Sequence, residues 1–154
     1  MDAEVYNKER VVRFIMEQFV PVRVHVREQA DEFRRLGERF GAEWTPTILM
    51  LDGSGEERHR VEGFLPADDF LAQLEFGLGR IAFSAKRFDD AEQRFRRIVA
   101  EYPASDAAPE AQYWAGVARY KATNDAAALA ETARAFRTSY QDSPWAKKAS
   151  VWGK

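Results

Sequence analysis

The chain lacks the side chain on which thiol chemistry depends. None of its 154 residues is cysteine, so it cannot form a disulfide, hold a thiolate-bound metal or perform thiol–disulfide exchange. The two histidines, His25 and His59, are far apart in the sequence, whereas a zinc site needs three or four protein ligands. We therefore predict no metal site and expect both histidines at the surface.

The charged residues do not form a pattern typical of catalysis. Asp52, Glu56 and Glu57 surround a glycine-containing turn, where we expect solvated carboxylates. Asp68 and Asp69 lie in the first turn of a predicted helix, where acids interact favourably with the helix dipole. No serine lies in a nucleophile elbow, and no glycine-rich phosphate loop is present. The sequence thus predicts no catalytic residue and no cofactor. Solvated helix faces are also expected for the clustered arginines, which are Arg34, Arg35, Arg94, Arg96 and Arg97.

Composition favours a folded protein and argues against polyanionic partners. Hydrophobic residues make up 45% of the chain, which is enough to build a core. Lysine and arginine total 23 against 25 acids, so the net charge of −2 leaves no basic excess for nucleic acid or an anionic membrane. No apolar run could insert across a bilayer, and residues 1–4 (Met-Asp-Ala-Glu) are unlike a signal peptide. The default expectation is a cytoplasmic location, unless a targeting segment lies upstream.

Hydrophobic periodicity predicts both helices and strands in the first half of the chain. Asn7 is predicted to cap a first helix, and the valines that alternate with polar residues over positions 20–26 predict a strand. An amphipathic helix is expected over residues 29–40. Two strands, 47–51 and 56–61, are expected to form a hairpin, and Pro66 is expected to begin the next helix.

From about Gly77 onward only helical patterns remain. Apolar faces recur at helical spacing, with breaks at Lys86, Pro103 and Asn124. We therefore divide the chain into residues 1–76, which read as α/β, and residues 77–154, which read as all-α. A shift of about 38 positions superposes residues of similar type, namely Ile98 on Phe136, Tyr102 on Tyr140, Ser105 on Ser143, Ala108 on Ala146, Ala111 on Ala149 and Trp114 on Trp152.

Residues 44–47 (Trp-Thr-Pro-Thr) enter a strand whose hairpin turns at residues 52–53 (Asp-Gly). Together with the flanking elements of residues 1–76, this arrangement resembles the later part of a thioredoxin-like domain. The resemblance implies that Pro46 is cis, that the Thr45 backbone hydrogen-bonds an extended peptide, and that Gly63 lies near the same face. Trp44 precedes this loop, and it is interpreted either as a core residue at the sheet edge or as a peptide contact.

The resemblance is incomplete because the Cys-x-x-Cys motif of the family, with its strand, has no counterpart here. By the family pattern that strand lies between the predicted strands 20–26 and 47–51. Its loss leaves backbone groups unpaired, so we expect a partner strand, a swapped dimer or a rearranged sheet to compensate. Met1 is accordingly interpreted as an internal methionine or an alternative start.

The second half, residues 77–154, resembles tetratricopeptide-like repeats. Residues 78–79 (Leu-Gly), Ala91, Phe95 and Pro103 fall at the spacings of that family, and the pattern restarts at residues 113–116 (Tyr-Trp-Ala-Gly). The longer second repeat is similar to variants in bacterial scaffold proteins. Tyr113 and Trp114 are predicted to pack between helices, with a partner-facing role as the other interpretation.

The predicted fold class is therefore an incomplete thioredoxin-like sheet with flanking helices, followed by tetratricopeptide-like helical hairpins. The leading hypothesis is a non-catalytic module that binds a protein or peptide through Trp44, Thr45, Pro46 and Gly63, and through Tyr113 and Trp114 on the helical repeat. The alternative is the C-terminal part of a thiol–disulfide oxidoreductase whose Cys-x-x-Cys lies upstream. A third hypothesis is a homodimer formed through the exposed sheet edge.

Overall fold

The computed structural model describes residues 5–153, which form seven α-helices and one antiparallel hairpin. In chain order the elements are α1 (Glu9–Gln18), α2 (Ala30–Phe40), β1 (Thr47–Leu51), β2 (Glu57–Glu62), α3 (Ala67–Ser84), α4 (Phe88–Glu101), α5 (Ala107–Thr123), α6 (Ala127–Ala135), α7 (Pro144–Ala149) and a final 3₁₀ helix (Ser150–Gly153). The small sheet with flanking helices, followed by helical repeats, confirms the predicted fold class.

The hairpin turns where the sequence predicts. Ile48 pairs with Val61 and Met50 with His59, and the register shifts after Met50. The carboxylate of Asp52 organises the turn because it accepts hydrogen bonds from the backbone and hydroxyl of Ser54 and from the guanidinium of Arg58. These hydrogen bonds hold the pKa of Asp52 well below its usual range, and the bond from the Ser54 hydroxyl has the largest effect. The expectation of a solvated carboxylate is wrong for Asp52, because its side chain is only 17% exposed.

Helix α3 is the element that joins the two halves of the protein. Its first part, including Phe70 and Leu74, lies in a core cluster with the hairpin and α1. Its later part, including Phe76, lies in a second cluster with α4 and α5. The predicted division at residues 76–77 falls inside this continuous helix. Gly79 permits close packing there, because a Cβ would lie 2.6 Å from the ring of Phe95.

Antiparallel helices form the second half of the protein. Helices α3, α4, α5 and α6 pack in sequence, each mainly against the next. The turns before α5 and before α7 share one hydrogen bond, because the N–H of Ser105 donates to the carbonyl of Tyr102 and the N–H of Ser143 donates to that of Tyr140, both at 3.0 Å. Their backbones differ, since φ is −130° at Tyr102 and +58° at Tyr140. The internal repeat seen in the sequence thus corresponds to a repeated turn hydrogen bond.

Two local predictions near the N-terminus are wrong. Residues 20–26 are not a strand, because no described strand lies beside them to supply hydrogen bonds. Val20 is 94% exposed and Val22 is 83% exposed, so the alternating valines do not enter the core. The cap of α1 is Lys8 rather than Asn7, and no side chain accepts a hydrogen bond at this end.

Candidate functional site

The loop that enters β1 is held by two hydrogen bonds. The Thr45–Pro46 peptide bond is cis, the isomer that the resemblance implies. The hydroxyl of Thr47 donates to the carbonyl of Trp44 at 2.6 Å, and the N–H of Gly63 donates to the carbonyl of Pro46 at 2.9 Å. Gly63 has a φ of +86°, a conformation that disfavours a side chain. In the described structure, neither the N–H nor the carbonyl of Thr45 makes a hydrogen bond, so both are available to a ligand.

Two aromatic side chains beside this loop face solvent. Trp44 is 69% exposed, so it is not a core residue, and Phe64, which follows Gly63 directly, is 51% exposed. The bond between Pro46 and Gly63 brings the two chain segments together. Phe64 was missed by sequence reasoning, although an aromatic residue directly after the glycine was an available signal. We refer to Trp44, Thr45, Pro46, Gly63 and Phe64 as the loop site.

The strand behind the loop site is fixed by a charged side chain of β2. Arg60 pairs with the carboxylates of Glu57 and Glu62 and donates to the carbonyls of Phe40 and Gly41 at the end of α2. The carboxylates of Glu57 and Glu62 raise the pKa of Arg60, and Glu57 has the larger effect. The guanidinium therefore stays charged and ties α2 to the hairpin.

Tyr113 and Trp114 lie on α5 within a row of aromatic rings, away from the loop site. Trp114 contacts Phe83 edge-on at 5.3 Å between ring centroids, and the guanidinium of Arg80 lies 4.2 Å above its ring. The indole N–H of Trp114 donates to Glu110, a carboxyl whose pKa is raised by burial. These contacts pack Trp114 of α5 against Phe83 and Arg80 of α3, as expected for a packing residue between repeat helices.

Tyr113 links α5 to the C-terminal helices. Its ring stacks on Trp152 at 4.7 Å between centroids and lies 5.1 Å from Trp145, over which the ammonium of Lys148 is placed at 3.8 Å. All of these rings are half-buried. The ring contacts of Tyr113 and Trp114 are with α3 and the C-terminal helices, so these two residues form a group separate from the loop site, on the helical repeat.

A buried carboxylate that the sequence analysis missed lies between α3 and α4. Glu75 is 1% exposed, and its Oε1 accepts from Arg94 at 3.3 Å and from Arg97 at 3.2 Å. Its Oε2 has no hydrogen-bond partner, and burial raises its pKa. The prediction of a solvated face is therefore wrong for Arg94, whose side chain is only 22% exposed. Arg97 reaches the same acid but remains 50% exposed, as predicted. The available signal was a single acid inside the apolar stripe of α3.

The histidines differ in their surroundings. The prediction of a surface residue is wrong for His59, which is half-buried between β2 and α3, where it bonds Gln73 at 2.6 Å and contacts the ring of Phe76. Burial lowers its pKa. His25 accepts the N–H groups of two following residues in a turn. Among residues 5–153, no cluster of three or more candidate ligands could hold a metal.

The fold and the loop site together define a class of protein. A small α/β unit with a cis-proline loop before β1 is followed by helical repeats. Family profiles agree with this class: a thioredoxin-like domain matches residues 1–78, and a tetratricopeptide repeat matches residues 73–105. The chain therefore belongs to the thioredoxin-like domain family, in a form without cysteine, and carries a tetratricopeptide-like repeat. The two matches overlap within α3. No curated protein and no solved structure matches the chain.

Within the described part of the chain, no helix is both long enough and apolar enough to cross a membrane.

Proposed function

We propose that the protein is a non-catalytic scaffold whose loop site binds an extended segment of another protein. The exposure of Trp44 carries this proposal. Trp44 is 69% exposed, beside a backbone that the hydrogen bond between Gly63 and Pro46 holds in place. Hydration of its apolar surface is unfavourable, and burial against a partner would recover that free energy.

The free backbone groups of Thr45 support an extended ligand in particular. An extended peptide presents alternating N–H and C=O groups, which could pair with those of Thr45. Its side chains would then contact Trp44 and Phe64 on either side of the loop. Because the loop is already fixed by two hydrogen bonds, little conformational entropy is lost on binding. The helical repeat, with Tyr113 and Trp114 packed between its helices, would position this site within a larger assembly.

The test is a peptide array read with the full chain, followed by affinity measurements on the strongest binders. Truncation of an aromatic hot spot typically costs 1–2 kcal/mol or more, so we expect Trp44→Ala to weaken binding by about 10-fold or more. Phe64→Ala should have a smaller effect of the same sign. Val151→Ala is the matched control, because Val151 is 61% exposed but lies in the C-terminal 3₁₀ helix.

Two outcomes would overturn the proposal. The first is an array in which no peptide binds more tightly to wild type than to Trp44→Ala. The second is a set of binders whose affinity changes equally in Trp44→Ala and in Val151→Ala, which would indicate nonspecific contact with exposed apolar side chains.

A second candidate function is favoured by the cis bond at Pro46 in a member of the thioredoxin-like family. On this proposal the chain is part of a thiol–disulfide oxidoreductase, and the loop site lies against a dithiol that the residues of this chain do not supply. The test is the reading frame upstream of Met1. An in-frame Cys-x-x-Cys motif would support this function, and a stop codon directly upstream would remove it.

A further inference from the structure

The two chain segments that form the loop site carry acids and no bases. Residues 41–47 and 62–66 include two charged side chains, those of Glu43 and Glu62. The Cα atom of Glu43 lies no more than about 7.6 Å from that of Thr45, because consecutive Cα atoms are about 3.8 Å apart. This separation is within the Debye length of about 8 Å at physiological salt. The charge of Glu43 therefore acts on any segment that pairs with the backbone of Thr45.

The negative charge of these two acids is not neutralised by the protein. Glu43 is exposed, and within the described part of the chain it forms no hydrogen bond or ion pair. Glu62 is 51% exposed and shares the guanidinium of Arg60 with Glu57. One guanidinium that pairs with two carboxylates leaves one negative charge uncompensated, and Glu43 adds a second.

Arg60 holds the carboxylate of Glu62 close to the segment that contains the other acid. Its Nη1 lies 3.1 Å from Oε1 of Glu62 and 3.1 Å from the carbonyl of Gly41, two residues before Glu43. The Cα atom of Glu62 is also the ladder partner of Thr47, at the start of β1. The two acids thus border the loop site from both of its chain segments.

Neighbouring basic residues do not offset this charge. Arg39, the base closest in sequence to Glu43, extends toward the hairpin turn, where its Nη2 would lie 3.6 Å from a Cβ on Gly55. The turn and the loop site lie at opposite ends of β1, whose five residues span roughly 17 Å. At the start of α3, Asp68 pairs with Arg10, so that pair adds no net charge.

We propose that the loop site selects extended protein segments that carry a lysine or arginine beside an apolar residue. This inference rests on the proposed function, because it assigns a charge preference to the same site. The basic side chain pairs with Glu43 or Glu62, and its cation lies over the exposed ring of Trp44 in a cation–π contact. An acidic segment meets two carboxylates of its own sign, and a neutral segment leaves their charge uncompensated.

The first experiment is an array of nine-residue peptides, each printed in three versions that carry Lys, Gln or Glu beside an apolar residue. The array is read with the full chain and with Trp44→Ala, and binding that is lost in Trp44→Ala is assigned to the loop site. Among these peptides, we expect the Lys version to bind about 2- to 5-fold more tightly than the Gln version, as for an exposed ion pair. The Glu version should bind more weakly than the Gln version, and both differences should shrink as salt is raised.

The second experiment changes the charge of the site itself. Glu43→Lys alters a side chain that bonds no described residue, so the fold is retained, and it should abolish the preference for the Lys version. Glu62→Gln keeps an oxygen that can accept from Arg60 and should weaken the preference. Glu56→Lys is the matched control, because Glu56 is an exposed acid at the turn end of the same hairpin. The control should bind all three versions as wild type does.

The outcomes separate this inference from the proposed function. Peptides that bind in a Trp44-dependent manner without any preference for the Lys version overturn the inference and leave the peptide-binding proposal intact. A preference of the same size in Glu43→Lys and in Glu56→Lys also overturns it, because the preference then does not come from the acids of the loop site. An array in which no binding depends on Trp44 overturns the proposed function, and this inference with it.

Discussion

Replacement of Gly116 by alanine tests how tightly α5 and α6 pack. A Cβ at this position would lie 1.9 Å from Oγ1, 2.8 Å from Cβ and 2.9 Å from Cγ2 of Thr132. Rotation of the threonine could move Oγ1 and Cγ2, but it would not move Cβ. The hydroxyl is also held by its bond to the carbonyl of Ala128 at 2.8 Å. The two helices must therefore separate for the variant to fold.

The expected magnitude follows from two opposing effects. Overpacking of a close contact costs about 1–3 kcal/mol, whereas alanine is favoured over glycine in a helix by about 1 kcal/mol. A contact of 2.8 Å with the Cβ of Thr132, which cannot rotate away, belongs in the upper part of the overpacking range, at about 2–3 kcal/mol. After the gain of about 1 kcal/mol from alanine, we expect Gly116→Ala to lower the free energy of unfolding by about 1–2 kcal/mol. For a chain of this size that corresponds to a fall in Tm of about 2–8 °C. Thermal and urea unfolding, followed by circular dichroism, provide the measurement.

The control is Gly53→Ala, because a Cβ at Gly53 meets no atom within 4 Å. This variant should stay within about 0.5 kcal/mol of wild type. Thr132→Ala in the Gly116→Ala background removes two of the three close atoms, so the double variant should lose less stability than the sum of the single variants. A Gly116→Ala protein as stable as Gly53→Ala, or strictly additive effects, would refute the packing argument.

Two further predictions concern pH. Because burial raises the pKa of Glu75 above 4.5, the folded state holds this proton more tightly than the unfolded chain, and its contribution to stability falls as pH rises from 4.5. Glu75→Gln should remove that slope in urea titrations between pH 4.5 and 7, and a slope unchanged by the substitution would show that Arg94 and Arg97 already compensate the charge. Burial lowers the pKa of His59 below 6.5. The contribution of His59 to stability is therefore complete above pH 6.5 and is lost as the pH falls below that value. His59→Gln should flatten the curve between pH 5 and 7, and equal acid sensitivity in Gln73→Leu and wild type would argue that the histidine's hydrogen bond contributes little.

Local sequence signals predicted the elements whose cause is also local. The carboxylate at Asp52 bonds only to residues 54–58, so the turn could be recognised from its own composition. Asn124, predicted as a break, ends α5 in the left-handed conformation. The repeat of 38 residues was visible because each helical hairpin packs mainly on its neighbours in sequence.

The failed predictions concern groups whose partners are distant in sequence. Glu75 meets Arg94 across 19 residues, and His59 meets Gln73 across 14. A periodicity argument assigns each side chain to a face but does not identify what lies opposite that face. Arg94 was therefore placed in solvent, and the buried acid was not recognised.

Residues 20–26 show most clearly the difference between a local sequence signal and a partner that only the fold can supply. Alternation in residues 20–26 was a valid strand signal, yet a strand exists only when a neighbour supplies hydrogen bonds, and no described neighbour does. The sequence by itself determined the hairpin, the helices, the repeat and the absence of a thiol, because each depends on residue types within a short stretch. Only the tertiary structure decided that Trp44 and Phe64 face solvent, that Glu75 is buried between arginines and that the edge of β1 is open. Those outcomes depend on which segments meet, and that is settled by packing and backbone pairing over the whole chain.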